Sequence, residues 1–439
     1  MKHAYDIVVV GTGPAGLTAA TAAAEAGRRV AVLDENPLIG GQIWRASLKE
    51  ASRDRSREKT VAQFKASGAQ LFSGRQVVDV DATGALDAWV DTTQSLETFS
   101  FDQLILATGA RERLLPFPGW TLPGVFGAGG VQALVRSGYD VRGKRVVVAG
   151  TGPLLLAVAA HLKQDGAKIL LVAEQAPLSQ LLPFSRSLIS RPGKIVQGLR
   201  LRAQLAGVPY RTGCWPVAAL GDNGITSVRL SDGSRTWTED CDLLACGFHL
   251  VPNTELAALL SCKVGEQGVE VDATQQTSLP HVYCVGEPTG IAGVDAALLQ
   301  GRVAGLVAAG KVAEAETLYS RRDAERRFGL RMDRAFALRK ELLTLAAPDT
   351  IVCRCEDVRF SQIPQDATPA TGWTHTKLQT RCGMGPCQGR ICGPALHALF
   401  GWKNVSVRPP LFPIPIAALC SASLPTDDAM ISVQQENSK

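Results

Sequence analysis

The hydrophobic pattern at the start of the chain predicts two buried strands joined by a helix. Residues 7–10 form a continuous apolar run, which indicates a strand buried on both faces. An Ala-rich segment, residues 17–26, predicts a helix that ends at Gly27. A second apolar run, residues 29–33, predicts a neighbouring strand. This order of strand, helix and strand indicates a parallel α/β fold.

Three glycines with GxGxxG spacing lie between the first predicted strand and the helix. Gly11 allows a tight turn, Gly13 lets the backbone approach a pyrophosphate, and Gly16 lets the helix pack closely on the strand. The helix N-terminus offers free N–H groups to phosphates, and an acidic residue ends the second strand, where it can accept hydrogen bonds from a ribose. The stretch therefore predicts a dinucleotide site, formed by Gly11, Gly13, Pro14, Ala15, Gly16, Asp34 and Glu35.

The same pattern recurs at residues 144–174 and predicts a second nucleotide fold. Gly150 and Gly152 match the glycine spacing, and Glu174 is the acidic residue at the end of the second strand. The third position is Leu155, which should push the helix away from the strand or change the loop. Three alternatives stay open for this fold: it holds NAD(P), it holds another adenine nucleotide, or it is empty.

Composition and charge exclude several classes of partner. The 439 residues are sufficient for two or three domains, and a net charge of +5 is too small to indicate a nucleic-acid-binding protein. No apolar run reaches membrane-spanning length, so we expect no membrane span. The chain runs almost directly into its first strand, which leaves no room for a signal peptide. We therefore expect a cytoplasmic protein.

The cysteines are concentrated near the C-terminal end, where five of the eleven lie between residues 353 and 392. Cys353 and Cys355 form a CxC pair, and Cys387 and Cys392 form a CxxxxC pair. Two such pairs suit four thiolates on one centre. Zinc is an alternative, but CxC is less typical of zinc than CxxC, which favours a 2Fe–2S cluster. Cys382 is a fifth candidate.

Several motifs together resemble the pyridine nucleotide–disulfide oxidoreductase superfamily of flavoproteins, namely GTGPAG, GGQ and LILATGA in this order. The resemblance implies that the first motif binds the FAD pyrophosphate and that the ATG turn lies against FAD. It also implies that a carboxylate after the glycine of VGEP binds the ribityl chain, here a glutamate instead of the usual aspartate. The additional residues it implies for FAD binding are Gly41, Gln42, Thr108, Gly109, Gly286 and Glu287.

The sequence departs from this superfamily in a motif needed for disulfide chemistry. Disulfide reductases of this superfamily carry a CxxC motif near the flavin, and no CxxC occurs in this sequence. We therefore do not expect exchange through a dithiol.

A narrower resemblance covers nearly the full length. The segments LPFPGWTLPGVFGAGG, VGEPTGI and CRCE…GMGPCQGRICGP are similar to alpha subunits of heteromeric opine oxidases, to D-hydroxyproline dehydrogenase alpha subunits and to the B subunit of hydrogen cyanide synthase. The resemblance implies a C-terminal 2Fe–2S domain like bacterioferritin-associated ferredoxin, with Cys353, Cys355, Cys387 and Cys392 as ligands. It also implies a partner flavoprotein subunit related to D-amino-acid oxidases, and a small ferredoxin-like subunit is a further candidate.

These features predict an α/β protein with two Rossmann-like dinucleotide-binding domains, one inserted in the other, and a small C-terminal Cys-rich α domain. The expected boundaries are 1–118 with 272–312 for the FAD-binding domain, 119–271 for the second nucleotide-binding domain, 313–345 for a helical linker, 346–412 for the 2Fe–2S domain and 413–439 for the tail.

The predicted function is electron transfer within a heteromeric amine or amino-acid dehydrogenase or oxidase. None of the six histidines lies in a recognisable catalytic setting, so no catalytic residue is predicted. Two alternatives are a stand-alone NAD(P)H-dependent flavin oxidoreductase and a scaffold subunit with vestigial cofactor sites. The sequence does not identify the amine substrate or the electron acceptor.

Overall fold

The computed structural model describes residues 1–44, 55–80, 83–403 and 407–423, so residues 424–439 of the predicted tail lie outside the described ranges. The strands in these ranges, numbered in chain order, are β1 (Lys2–Val10), β2 (Val30–Asp34), β3 (Gln70–Ser73), β4 (Arg75–Val80), β5 (Leu86–Val90), β6 (Ser95–Leu106), β7 (Ala110–Glu112), β8 (Val125–Gly127), β9 (Arg145–Thr151), β10 (Lys168–Glu174), β11 (Tyr210–Thr212), β12 (Trp215–Leu220), β13 (Ser227–Ser231), β14 (Thr236–Asp240), β15 (Leu243–Phe248), β16 (Leu250–Pro252), β17 (Val282–Cys284), β18 (Ile351–Cys353) and β19 (Val358–Arg359).

The α-helices of the same ranges connect these strands and supply most of the secondary structure in the C-terminal third. They are α1 (Pro14–Glu25), α2 (Arg55–Ala66), α3 (Ala128–Arg136), α4 (Leu154–Gln164), α5 (Leu178–Ser187), α6 (Pro192–Gln204), α7 (Glu255–Leu259), α8 (Val294–Ala308), α9 (Val312–Ala335), α10 (Gly372–Thr380), α11 (Cys392–Phe400) and α12 (Ile416–Ser423). No helix in the described parts of the chain is long and apolar enough to cross a membrane.

The first sheet contains the N-terminal strands and one strand from much later in the chain. Its order is β3-β2-β1-β6-β5-β4, and β17 pairs with the second half of β6. The strands β3, β2, β1, β6 and β17 are mutually parallel, whereas β4 and β5 are antiparallel additions. The helices α1 and α8 pack against each other beside this sheet. A Cβ on Gly301 would lie only 2.1 Å from the Ala15 carbonyl oxygen, so the two helices approach closely because Gly301 has no side chain.

The second sheet is wholly parallel, with the order β11-β10-β9-β15-β8. Because its central strands are buried on both faces, they consist of apolar runs instead of alternating residues. A separate antiparallel sheet, β12-β13-β14, packs against it. The strands β7 and β16 pair with each other where the chain passes between the two parallel sheets. This architecture confirms the predicted pair of Rossmann-like folds.

The C-terminal third begins with α9, a 24-residue helix that packs on α8 near one end and contacts α5 near the other. A 3-10 turn, Lys340–Thr344, follows it. The cysteine region, which we define as residues 351–403, contains the hairpin of β18 and β19 and the helices α10 and α11 around a small core. The prediction of a Cys-rich helical C-terminal region is therefore confirmed, with a short hairpin in addition.

Candidate functional site

The first glycine turn, residues 11–16, lies at the carboxyl edge of the first sheet. Gly11 has a φ of 108°, and a Cβ there would lie 2.3 Å from the Ala107 carbonyl oxygen. A Cβ on Gly16 would lie 1.9 Å from the carbonyl oxygen of Gly11. Both positions therefore exclude a side chain, as the motif predicts.

The opening of α1 suits an anionic group. Gly13 is the N-cap residue, and a Cβ there would have no described heavy atom within 4 Å, so the turn faces open space. Pro14 occupies the first helical position, where its missing N–H costs nothing. The first turn contains no acidic side chain, and no side chain from the described residues caps the helix. The free N–H groups and the helix dipole are thus available to a phosphate.

The acidic residue at the end of β2 braces this turn. Asp34 is buried, and its Oδ2 accepts the backbone N–H of Thr12 at 2.7 Å as well as the Thr12 hydroxyl. Its Oδ1 accepts the backbone N–H of Asn36. The neighbouring Glu35 instead accepts a hydrogen bond from the Gln76 side chain at 3.0 Å. Asp34 therefore fixes the shape of the turn, which is a second use besides the ribose contact predicted for it.

Two further predicted segments meet the first glycine turn. Gly41 has a φ of 60°, and a Cβ there would lie 2.9 Å from Gly13 Cα, so the segment containing Gly41 and Gln42 passes directly beside the turn. The turn of Thr108 and Gly109 follows β6, the neighbour of β1. Sequence reasoning missed Asn253, whose side-chain amide donates to the Thr108 carbonyl oxygen at 2.8 Å and fixes this turn.

The last predicted FAD segment arrives from β17. Gly286 has a φ of 77°, and a Cβ there would lie 3.0 Å from Ala15 Cβ, so Gly286 and Glu287 lie beside the start of α1. The Gly286 N–H donates to Oε1 of Gln300 at 2.7 Å; Gln300 is buried and was not predicted from the sequence. All the predicted FAD segments thus converge at one edge of the first sheet.

Glu287 carries an unsatisfied buried oxygen at this edge. Its Oε1 accepts the Gly293 N–H at 3.1 Å, whereas its Oε2 is buried without a hydrogen-bond partner among the described residues. Burial raises the pKa of Glu287 to about 7. Because buried polar atoms are normally paired, the free Oε2 indicates a donor that the protein does not itself supply. A ribityl hydroxyl of FAD is such a donor, so these residues fit the cofactor.

The second glycine turn, residues 150–155, differs from the first in its opening. The first helical hydrogen bond of α1 runs from Leu17 N–H to the Gly13 carbonyl, whereas Leu155 N–H in α4 bonds the Gly152 carbonyl, one residue closer. Leu155 is buried, and its side chain lies beside Gly247 of β15. The bulky third residue is therefore accommodated in the core together with a tighter first turn of the helix.

The chain itself covers part of the second glycine turn. The hydroxyl of Thr151 lies 3.0 Å from the Phe336 carbonyl oxygen and 3.0 Å from Oε1 of Glu174. Gln175 donates to the carbonyl oxygen of Ala337 and accepts the N–H of Arg339. The segment after α9 therefore lies against the edge where the predicted second nucleotide would bind.

Glu174 is fully buried in this turn, and we expect it to make stability depend on pH. Burial raises the pKa of Glu174 to about 7, despite hydrogen bonds from the N–H groups of Ala176 and Gly152. Because the pKa is higher in the folded state than in the unfolded state, the contribution of Glu174 to the free energy of unfolding is largest below about pH 4.5, the ordinary pKa. This contribution is lost as the pH rises through 7. At roughly 1.4 kcal/mol per pKa unit, Glu174 loses up to about 3 kcal/mol across this window.

Urea unfolding of wild type and Glu174→Gln between about pH 5 and pH 8 measures this contribution. We expect the free energy of unfolding to fall less steeply with pH in the variant, whatever its absolute stability. Parallel pH profiles for the two proteins would contradict a buried, titrating Glu174.

The five cysteines of the cysteine region come together in two groups. The sulfur atoms of Cys353, Cys382 and Cys392 are buried and lie within 4.8 Å of one another. Cys355 and Cys387 form the other group, in which the Cys387 N–H donates to the Cys355 sulfur. The structure thus places two of the four predicted ligands, Cys353 and Cys392, with Cys382 in the first group, and the other two in the second group.

The first group has the environment of a metal-binding thiolate. Hydrogen bonds from the thiols of Cys382 and Cys392 lower the pKa of Cys353 to about 2, and the contact with Cys353 raises the pKa of each of the other two. The N–H groups of Gly383 and Glu356 also donate to the Cys353 sulfur. Backbone N–H groups directed at a thiolate, with two separate groups of sulfurs, fit a two-iron cluster.

Charged residues near Glu287 were not predicted from the sequence. His249 has a φ of 78°, and its Nε2 lies 3.1 Å from Oδ1 of Asp333 in α9. Arg113 is half-buried, and its backbone N–H donates to the His249 carbonyl oxygen at 2.9 Å. No local motif marks this group, because its members come from distant parts of the chain.

Comparisons with known proteins find similarity over most of the chain. The sequence model of the pyridine nucleotide-disulphide oxidoreductase family matches residues 5–301. Hydrogen cyanide synthase subunit HcnB of Pseudomonas protegens is 32% identical, over 94% of this chain and 96% of its own length. The A subunit of opine oxidase from Agrobacterium tumefaciens is 32% identical, over 92% of this chain and 87% of its own length.

Solved structures share the fold. L-proline dehydrogenase from P. horikoshii superposes with a TM-score of 0.66 at 17% identity, covering 95% of this chain and 80% of that one. Thioredoxin reductase of T. acidophilum gives a TM-score of 0.54 at 23% identity, covering 71% of this chain and 99% of that one. The first of these matches extends through the C-terminal third as well as the two nucleotide folds.

Proposed function

The chain belongs to the pyridine nucleotide-disulphide oxidoreductase family and shares nearly its full length with subunits of heteromeric enzymes, and we propose that it is the electron-transfer subunit of a heteromeric amine or amino-acid dehydrogenase or oxidase of the opine or D-hydroxyproline type. Family membership supports an oxidoreductase that binds FAD and NAD(P). The finer proposal adds a 2Fe–2S cluster held by Cys353, Cys355, Cys387 and Cys392.

The proposal is carried by a direct link between the cysteine region and the edge of the first sheet where the predicted FAD segments converge. We call this edge the FAD edge. Arg111 follows the turn of Thr108 and Gly109, and its Nε donates to the Arg390 carbonyl oxygen at 3.1 Å. Arg390 lies between Cys387 and Cys392. The same guanidinium bonds Asn253 at 2.7 Å, which also holds the Thr108 turn. One arginine thus fixes the cysteine loop against the flavin-binding turn, as electron transfer between two cofactors requires.

In this proposal FAD supplies reversible two-electron chemistry and the cluster supplies one-electron chemistry, while the chain fixes their positions and surroundings. Gly13 and the start of α1 hold the pyrophosphate, Glu287 holds the ribityl chain, and Arg111 keeps the cysteine loop at this edge. The sequence has no CxxC, so a dithiol is not part of the path.

We further propose that the amine is oxidised on a partner flavoprotein subunit related to D-amino-acid oxidases, and that a small ferredoxin-like subunit is an additional component. The names of the two relatives describe subunits, which supports a partner for this chain. Oxidation of a CH–NH donor and a cytoplasmic location are parts of the same proposal.

An anaerobic absorption spectrum of the purified chain, with iron, zinc and acid-labile sulfide assayed on the same sample, tests this function. We expect flavin bands together with iron and sulfide in equal amounts. Flavin with zinc and no sulfide would contradict the cluster and the electron path. A colourless protein would instead favour a scaffold role.

The alternative is a stand-alone NAD(P)H-dependent flavin oxidoreductase, and reduction by NADH distinguishes it. We expect NADH to bleach the flavin only slowly in the isolated chain, because the segment after α9 lies against Thr151 and Gln175. Stopped-flow absorbance under anaerobic conditions measures the rate, with dithionite as the control reductant. Rapid bleaching by NADH without a partner would favour the alternative.

A further inference from the structure

The helices α5 and α6 carry an exposed apolar surface on the second nucleotide fold. Neither helix contains a buried residue, although surface helices normally bury an apolar stripe. Leu178 and Leu182 are four residues apart in α5, so they lie on one helix face, and the same spacing relates two of the apolar residues in α6. We define the α5–α6 surface as the large apolar residues of this segment that are at least 37% exposed, namely Leu178, Leu182, Ile189, Ile195, Val196 and Leu199. An exposed apolar surface of this kind is typical of an interaction site.

The inner sides of both helices pack on the rest of the chain. The ring centroid of Phe184 in α5 lies 5.6 Å from those of Phe328 and Phe336. Leu201 in α6 packs against the core of the second parallel sheet. Between the two helices, the Arg191 guanidinium lies 4.3 Å from the centroid of the Phe328 ring. Contacts on the inner sides therefore hold the helices in place, and the α5–α6 surface is on their outer side.

The α5–α6 surface adjoins the FAD edge through an ion pair. The ammonium of Lys194, the residue before Ile195, lies 2.7 Å from Oδ2 of Asp295 in the first turn of α8. Gly293 is the N-cap residue of α8, and its N–H donates to Glu287 at the FAD edge. The ion pair therefore joins α6 to the start of the helix that helps to form this edge. A protein bound to the α5–α6 surface would lie beside the FAD edge.

The charged residues of this segment are all basic. Residues 175–209 contain no Asp or Glu, and their basic residues are Arg186, Arg191, Lys194, Arg200 and Arg202. Arg191 and Lys194 pair with acidic residues from other parts of the chain, whereas Arg186 and Arg200 are exposed. A two-fold contact between copies of this chain would bring the same basic surface together from both sides, where like charges repel. The charge therefore favours an acidic partner over a second copy.

The composition and position of the surface favour a protein over a membrane as its partner. Helices that lie in a membrane interface typically insert aromatic side chains beside their aliphatic ones. The one aromatic residue of 178–204 is Phe184, and it packs inward on Phe328. The surface also adjoins the FAD edge, which is where a redox partner has to bind.

We propose that the α5–α6 surface docks the partner flavoprotein subunit of the proposed function, and that this subunit presents an apolar patch surrounded by acidic residues. The docking rests on the proposed function, because that function supplies the partner. Apolar contacts with Leu182, Val196 and Leu199 provide the affinity, and the basic residues around them steer the acidic subunit. The docked subunit lies next to the start of α8, beside the predicted FAD site.

Binding of the isolated partner to variants of the holoprotein tests this surface. The tagged full-length chain is purified from the cells that naturally produce it, and mass spectrometry identifies the flavoprotein subunit that accompanies it. Biolayer interferometry then measures the dissociation constant, Kd, for this subunit. We expect Leu199→Glu and Val196→Glu to raise Kd at least about tenfold, because each places an unpaired carboxylate in the apolar contact, opposite acidic residues.

Val312→Glu is the matched control for these variants. Val312 is the first residue of α9 and is 42% exposed, against 45% for Val196, so the two substitutions add the same charge at similar exposure. The control should bind the partner like wild type. Leu182→Glu repeats the test on α5, and FAD content and circular dichroism confirm that each variant is folded.

Hydrogen–deuterium exchange of the wild-type chain, free and in the complex, tests the surface without any substitution. We expect the backbone amides of residues 178–204 to exchange at least about twofold more slowly in the complex, because the partner covers both helices. Exchange at the start of α9, around the control position, should be the same in the two states.

The outcomes separate the docking surface from the proposed function. Wild-type affinity in the three glutamate variants of α5 and α6, or unchanged exchange of residues 178–204, would overturn the docking surface and leave the electron-transfer function intact. Flotation of the chain with vesicles of phosphatidylglycerol and phosphatidylcholine, lost in Leu199→Glu, would assign the surface to a membrane. A dimer of this chain that dissociates in Leu199→Glu, measured by light scattering, would assign it to a second copy, and either result would overturn the proposal. A wild-type chain that is purified without a flavoprotein subunit would overturn the heteromeric function and the docking together.

Discussion

We expect Cys353→Ser to lose the iron and sulfide that the proposed cluster would contain, while FAD content stays at the wild-type level. Cys353 is the centre of the buried thiol group, since Cys382 and Cys392 both contact its sulfur and two backbone N–H groups donate to it. Loss of an outer-shell partner alone typically costs roughly 10- to 100-fold in metal affinity, so loss of a ligand should lower iron content at least about tenfold. The FAD edge is built from residues outside the cysteine region and should be unaffected.

Serine substitutions of the remaining cysteines distinguish the predicted ligand set from one that includes Cys382. We expect Cys355→Ser, Cys387→Ser and Cys392→Ser to behave like Cys353→Ser, because all four cysteines would be ligands of the proposed cluster. We expect Cys382→Ser to retain iron and sulfide. Cys262→Ser is the matched control, since Cys262 is a buried cysteine in the core of the first sheet.

Iron, sulfide and flavin assays on the same preparations, with an electron paramagnetic resonance spectrum of the reduced protein, measure these effects. Circular dichroism confirms that each variant is folded. Loss of iron in Cys382→Ser, together with retention in Cys355→Ser or Cys387→Ser, would replace the predicted ligand set with one that includes Cys382.

The sequence predicted the glycine turns well because their physics is local. Gly11, Gly13 and Gly16 are needed by contacts within one strand, one turn and one helix, so their spacing alone indicates the structure. The partners that complete the site are different. Asn253 and Gln300 reach the same edge from strands and helices far along the chain, and no local pattern marks an amide that will bond a distant backbone.

Other features could not be predicted, because they depend on contacts between residues that the spacing of a sequence motif does not reveal. Leu155 breaks the glycine fingerprint, and only the structure shows that it is buried beside β15 with a tighter first turn of α4. Likewise the sequence could not rank Cys382 against the other cysteines, because its distance to Cys353 depends on how the loop before α11 folds. The group formed by His249 and Asp333 was missed for the same reason: a loop histidine and a helical aspartate carry no shared motif.

Alanine substitutions at two glycines of the first turn should affect protein stability and cofactor binding differently. In Gly16→Ala the new Cβ would lie 1.9 Å from the Gly11 carbonyl oxygen and 3.3 Å from Ala107 Cβ, and the first of these is backbone that cannot rotate away. The helix α1 must therefore move off β1. Overpacking of this kind costs typically about 1–3 kcal/mol or more, so we expect lower stability of the apoprotein and no retained flavin.

Gly13→Ala should behave in the opposite way. Gly13 has a φ of −66°, and its Cβ would meet no described protein atom within 4 Å. Alanine is a poorer N-cap residue than glycine, so we expect some loss of stability. Because no steric clash adds to it, this loss should stay below about 1 kcal/mol. The new methyl group would enter the space through which the pyrophosphate approaches the backbone, so we expect FAD affinity to fall at least about tenfold.

Urea unfolding of the apoproteins and fluorescence titration with FAD measure the two effects separately. Gly198→Ala is the control, because Gly198 lies within α6, outside both glycine turns, where a Cβ likewise meets no described atom within 4 Å. Wild-type FAD affinity in Gly13→Ala would mean that the pyrophosphate does not lie against this turn. Wild-type stability in Gly16→Ala would mean that α1 and β1 have more room than their contacts indicate. We expect Gly16→Ala to lose stability and Gly13→Ala to lose mainly FAD affinity. This difference between the variants is expected if the turn both packs the helix closely and binds a phosphate.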